Sequence, residues 1–149
     1  MVQFLSILDN ILIMLIHKET LPYYSELANL RSFLEREVEG FPRWKCESAS
    51  RLVHLRTGLE VVAGRYVPDE DLHVWNYDSQ RELYVDITQD QYPHRSKIAV
   101  MPANTPLLKV EGNAMKEHHA ATKQRGFQRQ VSDLLRDYLF NQNTRHHQK

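Results

Sequence analysis

The 149 residues hold 19 Lys and Arg against 19 Asp and Glu, with eight histidines, and 42% of positions are apolar. A chain of this size folds as one domain without disulfide or metal staples. Its zero formal charge lacks the electrostatic footprint of a nucleic-acid or anionic-membrane binder, and its composition is not that of a disordered chain.

Residues 4–16 are strongly apolar, with the run Ile11-Leu12-Ile13-Met14-Leu15-Ile16. Asp9 and Asn10 interrupt the stretch, which falls short of the roughly 18 apolar residues expected of a membrane span. No Lys or Arg precedes it and no small-residue cleavage site follows, so neither a signal peptide nor stable membrane insertion is expected. A helix over residues 2–17 is predicted, buried in the core or, alternatively, offering an apolar face to an oligomer or another partner.

A second helix is predicted from Thr20-Leu21-Pro22, with Thr20 as cap and Pro22 in the first turn. Tyr24, Leu27, Leu30, Phe33, Leu34 and Val38 follow a helical period and Gly40 ends it. The link Phe41-Pro42-Arg43-Trp44-Lys45 leads into a third helix that begins at Cys46, carries Ala49, Leu52, Val53 and Leu55, and closes at Gly58. Strands are then expected over 59–67, 72–77 and 83–87, with short candidates at 98–101 and 107–110, as an antiparallel meander. A last helix over 114–140, broken near Gly126, presents Val131, Leu134, Leu135, Tyr138 and Leu139 as an apolar stripe. The whole predicts a single α+β domain over residues 1–140 and a flexible polar tail over 141–149.

Cys46, His73 and Asp86 supply the parts of a thiol nucleophile: the sulfur, an imidazole to take its proton, and a carboxylate to orient the ring. A helix that starts at Cys46 lowers the thiol pKa through its dipole and unpaired amides, and the same amides suit an acyl-transfer oxyanion. Strands paired about Ser79-Gln80, through a loop of two residues or the four from Asp78 to Arg81, set His73 directly across from Asp86. Cβ atoms so placed lie about 4.5–5.5 Å apart, and a register shift of two leaves the pair diagonal on one face. Trp44 and Trp75 flank the nucleophile and the imidazole in sequence. Gln91 ends the polar run Gln89-Asp90-Gln91 after the aspartate. These three are the expected substrate-binding residues, with a solvated strand exit as the plainer reading of the Gln run.

The motifs Cys46-Glu47-Ser48-Ala49-Ser50, Leu55-Arg56-Thr57-Gly58-Leu59, Arg65-Tyr66-Val67, His73-Val74-Trp75 and Leu83-Tyr84-Val85-Asp86-Ile87-Thr88 occur in that order. Together they resemble the core of the transglutaminase-like, papain-like-fold cysteine proteins, over about a third of the chain. The last strand has Tyr84 where that family often has tryptophan, and the flanking segments 1–40 and 114–140 match no part of the pattern. The resemblance implies a Cys-led helix packed on a small antiparallel sheet, with Cys46 as nucleophile, His73 as general base and acid, and Asp86 as its orienting partner.

The expected function is a cysteine hydrolase or acyltransferase that acts on a peptide or protein amide through a thioester, as a protease, deamidase or transglutaminase. The alternative is a catalytically inactive binding or scaffold protein of the same fold. A groove that reaches Cys46 favours the former, and a thiol sealed behind Trp44 and Trp75 the latter. His118-His119 and His146-His147 are adjacent rather than spaced for one helical face, His17, His54 and His94 lack partners at metal spacing, and the glycines form no phosphate loop. No metal or other cofactor is expected. With one cysteine no intramolecular disulfide can form, so the expected location is cytoplasmic.

Overall fold

The computed structural model describes residues 18–124 and 130–147. Among these the chain is α+β, with four α-helices and a curled five-stranded antiparallel sheet. The helix expected over residues 2–17 lies outside the described residues. Among the described residues no helix is long and apolar enough to cross a membrane.

Helix α1 spans Tyr24–Glu37 and buries Leu27, Leu30, Phe33 and Leu34 on one stripe. It starts later than the Thr20 cap predicts: Thr20 closes a 3-10 turn over Lys18–Thr20, and Tyr23 is the capping residue. Proline disfavours helical backbone in the residue before it, so Leu21 holds the helix off until Pro22 is passed. Helix α2, Cys46–Thr57, begins and ends where the sequence predicts. Its stop is Gly58, left-handed at φ 79°, whose N–H bonds the His54 carbonyl at 2.8 Å.

Strands β1 (Glu60–Tyr66), β2 (Asp71–Asp78), β3 (Leu83–Asp86) and β4 (Ala99–Pro102) form the expected meander. Strand β5 (Leu108–Val110) returns to the free edge of β1, giving the order β4-β3-β2-β1-β5. Gly64 makes that return possible: a Cβ there would stand 1.8 Å from the Lys109 carbonyl oxygen. Only a residue without a side chain lets the two backbones approach so closely.

The β2–β3 pairing is two residues away from the predicted register. Asn76 faces Val85, Tyr77 faces Tyr84 and Asp78 faces Leu83, leaving a turn over residues 79–82. Asp78 sets this turn, because its Oδ1 accepts the Gln80 and Arg81 N–H groups, each at 3.1 Å. Continued by one pair, the register puts Trp75 across from Asp86 and leaves His73 diagonal on the same face.

Helices α3 (Ala114–Gln124) and α4 (Val131–His147) cover the expected C-terminal helical region on either side of residues 125–129, with Gly126 outside the described residues. Helix α4 continues to His147, through most of the predicted tail. Its Leu134 and Tyr138 join α1, α2, Val85, Ile87, Ile98 and Val100 in the main core. Alternation along β2 separates two environments. Val74 packs with Cys46, Ala63 and Ala114, and Asn76 donates to the Ser50 carbonyl at 2.9 Å, so this face meets α2. His73 and Trp75 point the other way, toward Tyr84 and Tyr92.

Candidate active site

Cys46 is the first residue of α2, and Trp44, two residues earlier, has a left-handed φ of 64°. Such a conformation is costly for a bulky side chain and persists only where the surroundings impose it. It turns the chain into the helix and leaves the Trp44 indole 41% exposed. The first amides of a helix have no intrahelical acceptor, and Lys45 supplies no side-chain cap. Cys46 therefore stands at the positive end of α2, where the helix amides lack intrahelical acceptors.

His73 and Asp86 meet despite the shifted register: His73 Nε2–H donates to Asp86 Oδ2 at 2.6 Å, with both groups buried. The other Asp86 oxygen accepts the Thr88 N–H and hydroxyl, each at 3.0 Å. The carboxylate is thus fixed, and it fixes the ring so that Nδ1 is left to exchange a proton. Gln91 comes to the same place. Its amide nitrogen lies 3.3 Å from His73 Nδ1 and donates to the Thr88 carbonyl at 3.1 Å, the former contact belonging to the neutral ring. Arg31 holds this turn from α1, with its guanidinium forked onto Asp90 at 2.5 and 2.7 Å and onto the Ile87 carbonyl at 2.7 Å.

A second imidazole, absent from the sequence-based triad, touches the sulfur. His118 on α3 places Nε2 3.1 Å from Cys46 Sγ. Its Nδ1 faces Glu47 Oε1 at 3.5 Å. Glu47 in turn receives His119 at 3.1 Å and Arg51 at 3.5 Å. The cysteine is thus served by two rings, each backed by a carboxylate. Glu47 lies within the Cys46-led motif but without an assigned role there, and His118 lies in none of the motifs. His118 is identifiable only as the polar member of a helical face shared with Ala114 and Thr122, both buried.

The charges reinforce one another. Burial alone would raise the Cys46 thiol, but hydrogen bonds and positive charge from His118 and His73 outweigh it and bring the thiol down to about 6. Burial likewise opposes the imidazolium of His73, yet the Asp86 charge and hydrogen bond, aided by Cys46, raise it to about 10. His118 rises to about 9 against its own burial, through Cys46 and Glu47. Glu47 falls to about 2, its burial overcome by His118, His119 and Arg51. At neutral pH the arrangement is a thiolate between imidazolium ions. Tyr92, stacked on Tyr66 with ring centres 3.8 Å apart, stays protonated because burial and the nearby thiolate and carboxylates push its phenol up.

A cleft of about 410 Å³ is lined by Trp44, Cys46, Asp69, Gln91, Tyr92 and His118 among others, Cys46 itself being 2% exposed. Two of the three expected substrate contacts, Trp44 and Gln91, line it. Trp75 does not: it is fully buried, its ring 5.9 Å from that of His73 at 19°, and it backs the imidazole rather than meeting a substrate. The physical reason is strand alternation, which turns Trp75 with His73 into the aromatic cluster of Tyr66, Tyr92 and Leu108. Among the described residues no group of three or more His, Cys, Asp and Glu is arranged to hold a metal ion. No family model, curated protein or solved structure matches this chain.

Proposed function

We propose that this chain is a cysteine-dependent acyl-transfer enzyme of the transglutaminase-like, papain-like-fold kind, acting on an amide through a thioester. The observation that carries the reading is the Cys46 sulfur at a helix start, in a residue that lines a cleft, 3.1 Å from the buried His118 imidazole. The Cys46 thiolate, held beside the His73 imidazolium that Asp86 orients, attacks the carbonyl carbon. The oxyanion of the tetrahedral intermediate is stabilised by the first-turn amides of α2. The C–N bond breaks as the amine takes a proton from an imidazolium, leaving an acyl–sulfur bond at Cys46. Water or a second amine then attacks the thioester, gives up a proton to a neutral imidazole, and releases the sulfur as thiolate. Hydrolysis, deamidation and transfer differ only in which nucleophile enters at that step.

The inactive-scaffold reading predicts a sealed thiol of ordinary acidity. Cys46 is buried, as that reading expects, but it lines a cleft and its thiol is brought down to about 6, which favour the catalytic one. The test is acetylation of Cys46 by p-nitrophenyl acetate, followed by mass spectrometry on the wild type and on Cys46→Ala. Catalysis predicts a single acetyl group on Cys46, removed on further incubation and absent from the variant. A wild type that takes up no acetyl group, or an adduct that never turns over, would sink the proposal.

A further inference from the structure

The thiolate needs only one imidazole to form, yet the fold brings two to Cys46 on separate elements, and they differ in access to substrate. His73 is completely buried, does not line the cleft, and is tied through Nε2 to a carboxylate with both oxygens engaged. His118 lines the cleft beside the sulfur, 3.1 Å from it through Nε2. Its other nitrogen faces Glu47, and Glu47 is itself fixed from two further sides by Arg51 and His119. A group that hands a proton to a departing amine must reach the cleft at hydrogen-bond distance from the bond being broken. Both rings are buried, His118 at 3% exposure and His73 at 0%, but of the two only His118 lines the cleft.

We infer that the two histidines divide the chemistry, and that His118, oriented by Glu47, is the catalytic acid and base that protonates the leaving amine and later deprotonates the incoming nucleophile. The inference rests on the acyl-transfer reading and refines it. In the first half-reaction the Sγ–C bond forms and the C–N bond breaks. The proton on His118 Nε2 moves to the leaving nitrogen, which departs as a neutral amine. In the second half-reaction His118 Nε2 accepts the proton of the attacking water or amine. The acyl group leaves the sulfur, and the thiolate–imidazolium pair is restored. His73 keeps its proton throughout and acts as a positioning residue whose fixed positive charge, set by Asp86, makes sulfur a good nucleophile and a good leaving group.

The division is tested with aryl acetates whose leaving groups need different amounts of protonation. p-Nitrophenoxide leaves unaided and phenoxide much less so. Acetylation of Cys46 is followed with both esters on the wild type, His118→Gln and His73→Gln. His118→Gln is expected to slow transfer from phenyl acetate by about a hundredfold and from p-nitrophenyl acetate by several-fold, in line with the loss of a general acid. His73→Gln is expected to slow both esters by similar factors and to move the pH midpoint of iodoacetamide labelling upward. Glu47→Gln, which keeps His118 in place, shifts the ratio of the two esters in the same direction as His118→Gln and serves if that variant does not fold. An unchanged ratio in both His118→Gln and Glu47→Gln overturns the inference, as does a changed ratio confined to His73→Gln. A wild type inert toward both esters is a different result, because there the acyl-transfer reading itself fails and takes this division with it.

Discussion

Replacing Asp86 with asparagine changes one atom and inverts the logic of the His73 ring. Asp86 Oδ1 accepts two hydrogen bonds from Thr88, at 3.0 Å each, so the amide oxygen of Asp86→Asn stays on that side. The amide nitrogen then faces His73 Nε2 and donates to it, where the wild-type carboxylate accepts at 2.6 Å. The ring must offer a lone pair at Nε2 and move its proton to Nδ1, which abolishes both the imidazolium and its use as a base toward sulfur. In the wild type the rise from 6.5 to about 10 corresponds to roughly 5 kcal/mol of preference for the charged ring. Asp86 supplies most of that, against burial. With His73 neutral the thiolate keeps only His118 as a cation in contact, and an adjacent opposite charge shifts a titration by about 1–3 pH units. The midpoint of iodoacetamide labelling should therefore climb from about 6 toward the ordinary thiol range. Because less acidic thiolates are intrinsically more nucleophilic, with a Brønsted slope near 0.4–0.5, the rate at neutral pH changes less than the midpoint, so the full pH profile is the readout. Circular dichroism and thermal melting confirm that the isosteric variant is folded. A folded Asp86→Asn protein with an unmoved midpoint would refute the role given to the His73–Asp86 pair.

Three further outcomes are expected. Acetyl transfer should follow a plateau bounded by two groups. The Cys46 value is lowered, so thiolate is present above about 6 and lost as pH falls through it. The His118 value is raised, so its imidazolium is present below about 9 and lost as pH rises. A single rise near the ordinary thiol pKa, about 8.5, contradicts this. Arg31→Met removes a buried guanidinium from Asp90, Glu35 and the Ile87 carbonyl. Since the Asp90 and Glu35 side chains are 20% and 34% exposed, the loss in urea unfolding should sit at the low end for a broken buried pair, about 3 kcal/mol. Arg31→Lys should fall between, because an ammonium does not span the carboxylate fork; a loss under about 1 kcal/mol for Arg31→Met rejects the clamp. Gly64→Ala drives a Cβ into the Lys109 carbonyl and forces β5 off β1, so it should cost more than about 2 kcal/mol and expose to hydrogen exchange the Glu111 amide, which donates to the Ala63 carbonyl at 3.1 Å. A stable, exchange-protected Gly64→Ala variant would show that β5 does not depend on that approach.

Local chemistry made much of this architecture readable from the chain. Helix α2 runs from Cys46 to a left-handed Gly58, as its spacing and terminator require, and the strands fall where valines and aromatics alternate. His73 and Asp86 share a face because the strand period is two, and that survives a register displaced by two. The displacement was illegible because it depends on the Asp78 carboxylate capping two amides of the turn, a side-chain choice that competes with ordinary turn propensity. Pro22 moved the start of α1 for a similarly local reason. The second imidazole was hidden for a different one. His118 reaches Cys46 across 72 positions through the packing of α3 beside α2, and no spacing rule spans a tertiary contact. Trp75 shows the reverse error: neighbourhood in sequence suggested a substrate contact, whereas β alternation buries it behind His73.

The acidity of Cys46 also determines how this protein meets oxidants. A thiolate that lines a cleft is attacked by peroxide far more readily than a thiol, and the first product is a sulfenic acid. In many redox-sensitive proteins a second cysteine condenses with that species and shields it as a disulfide. Cys46 is the one cysteine of this sequence, so no resolving sulfur exists within the chain. The sulfenic acid can be captured by a small thiol such as glutathione or close on a backbone nitrogen as a sulfenamide, both reversible, or be oxidised again to sulfinic acid, which is not. Survival under oxidative stress then depends strongly on the thiol pool around the protein.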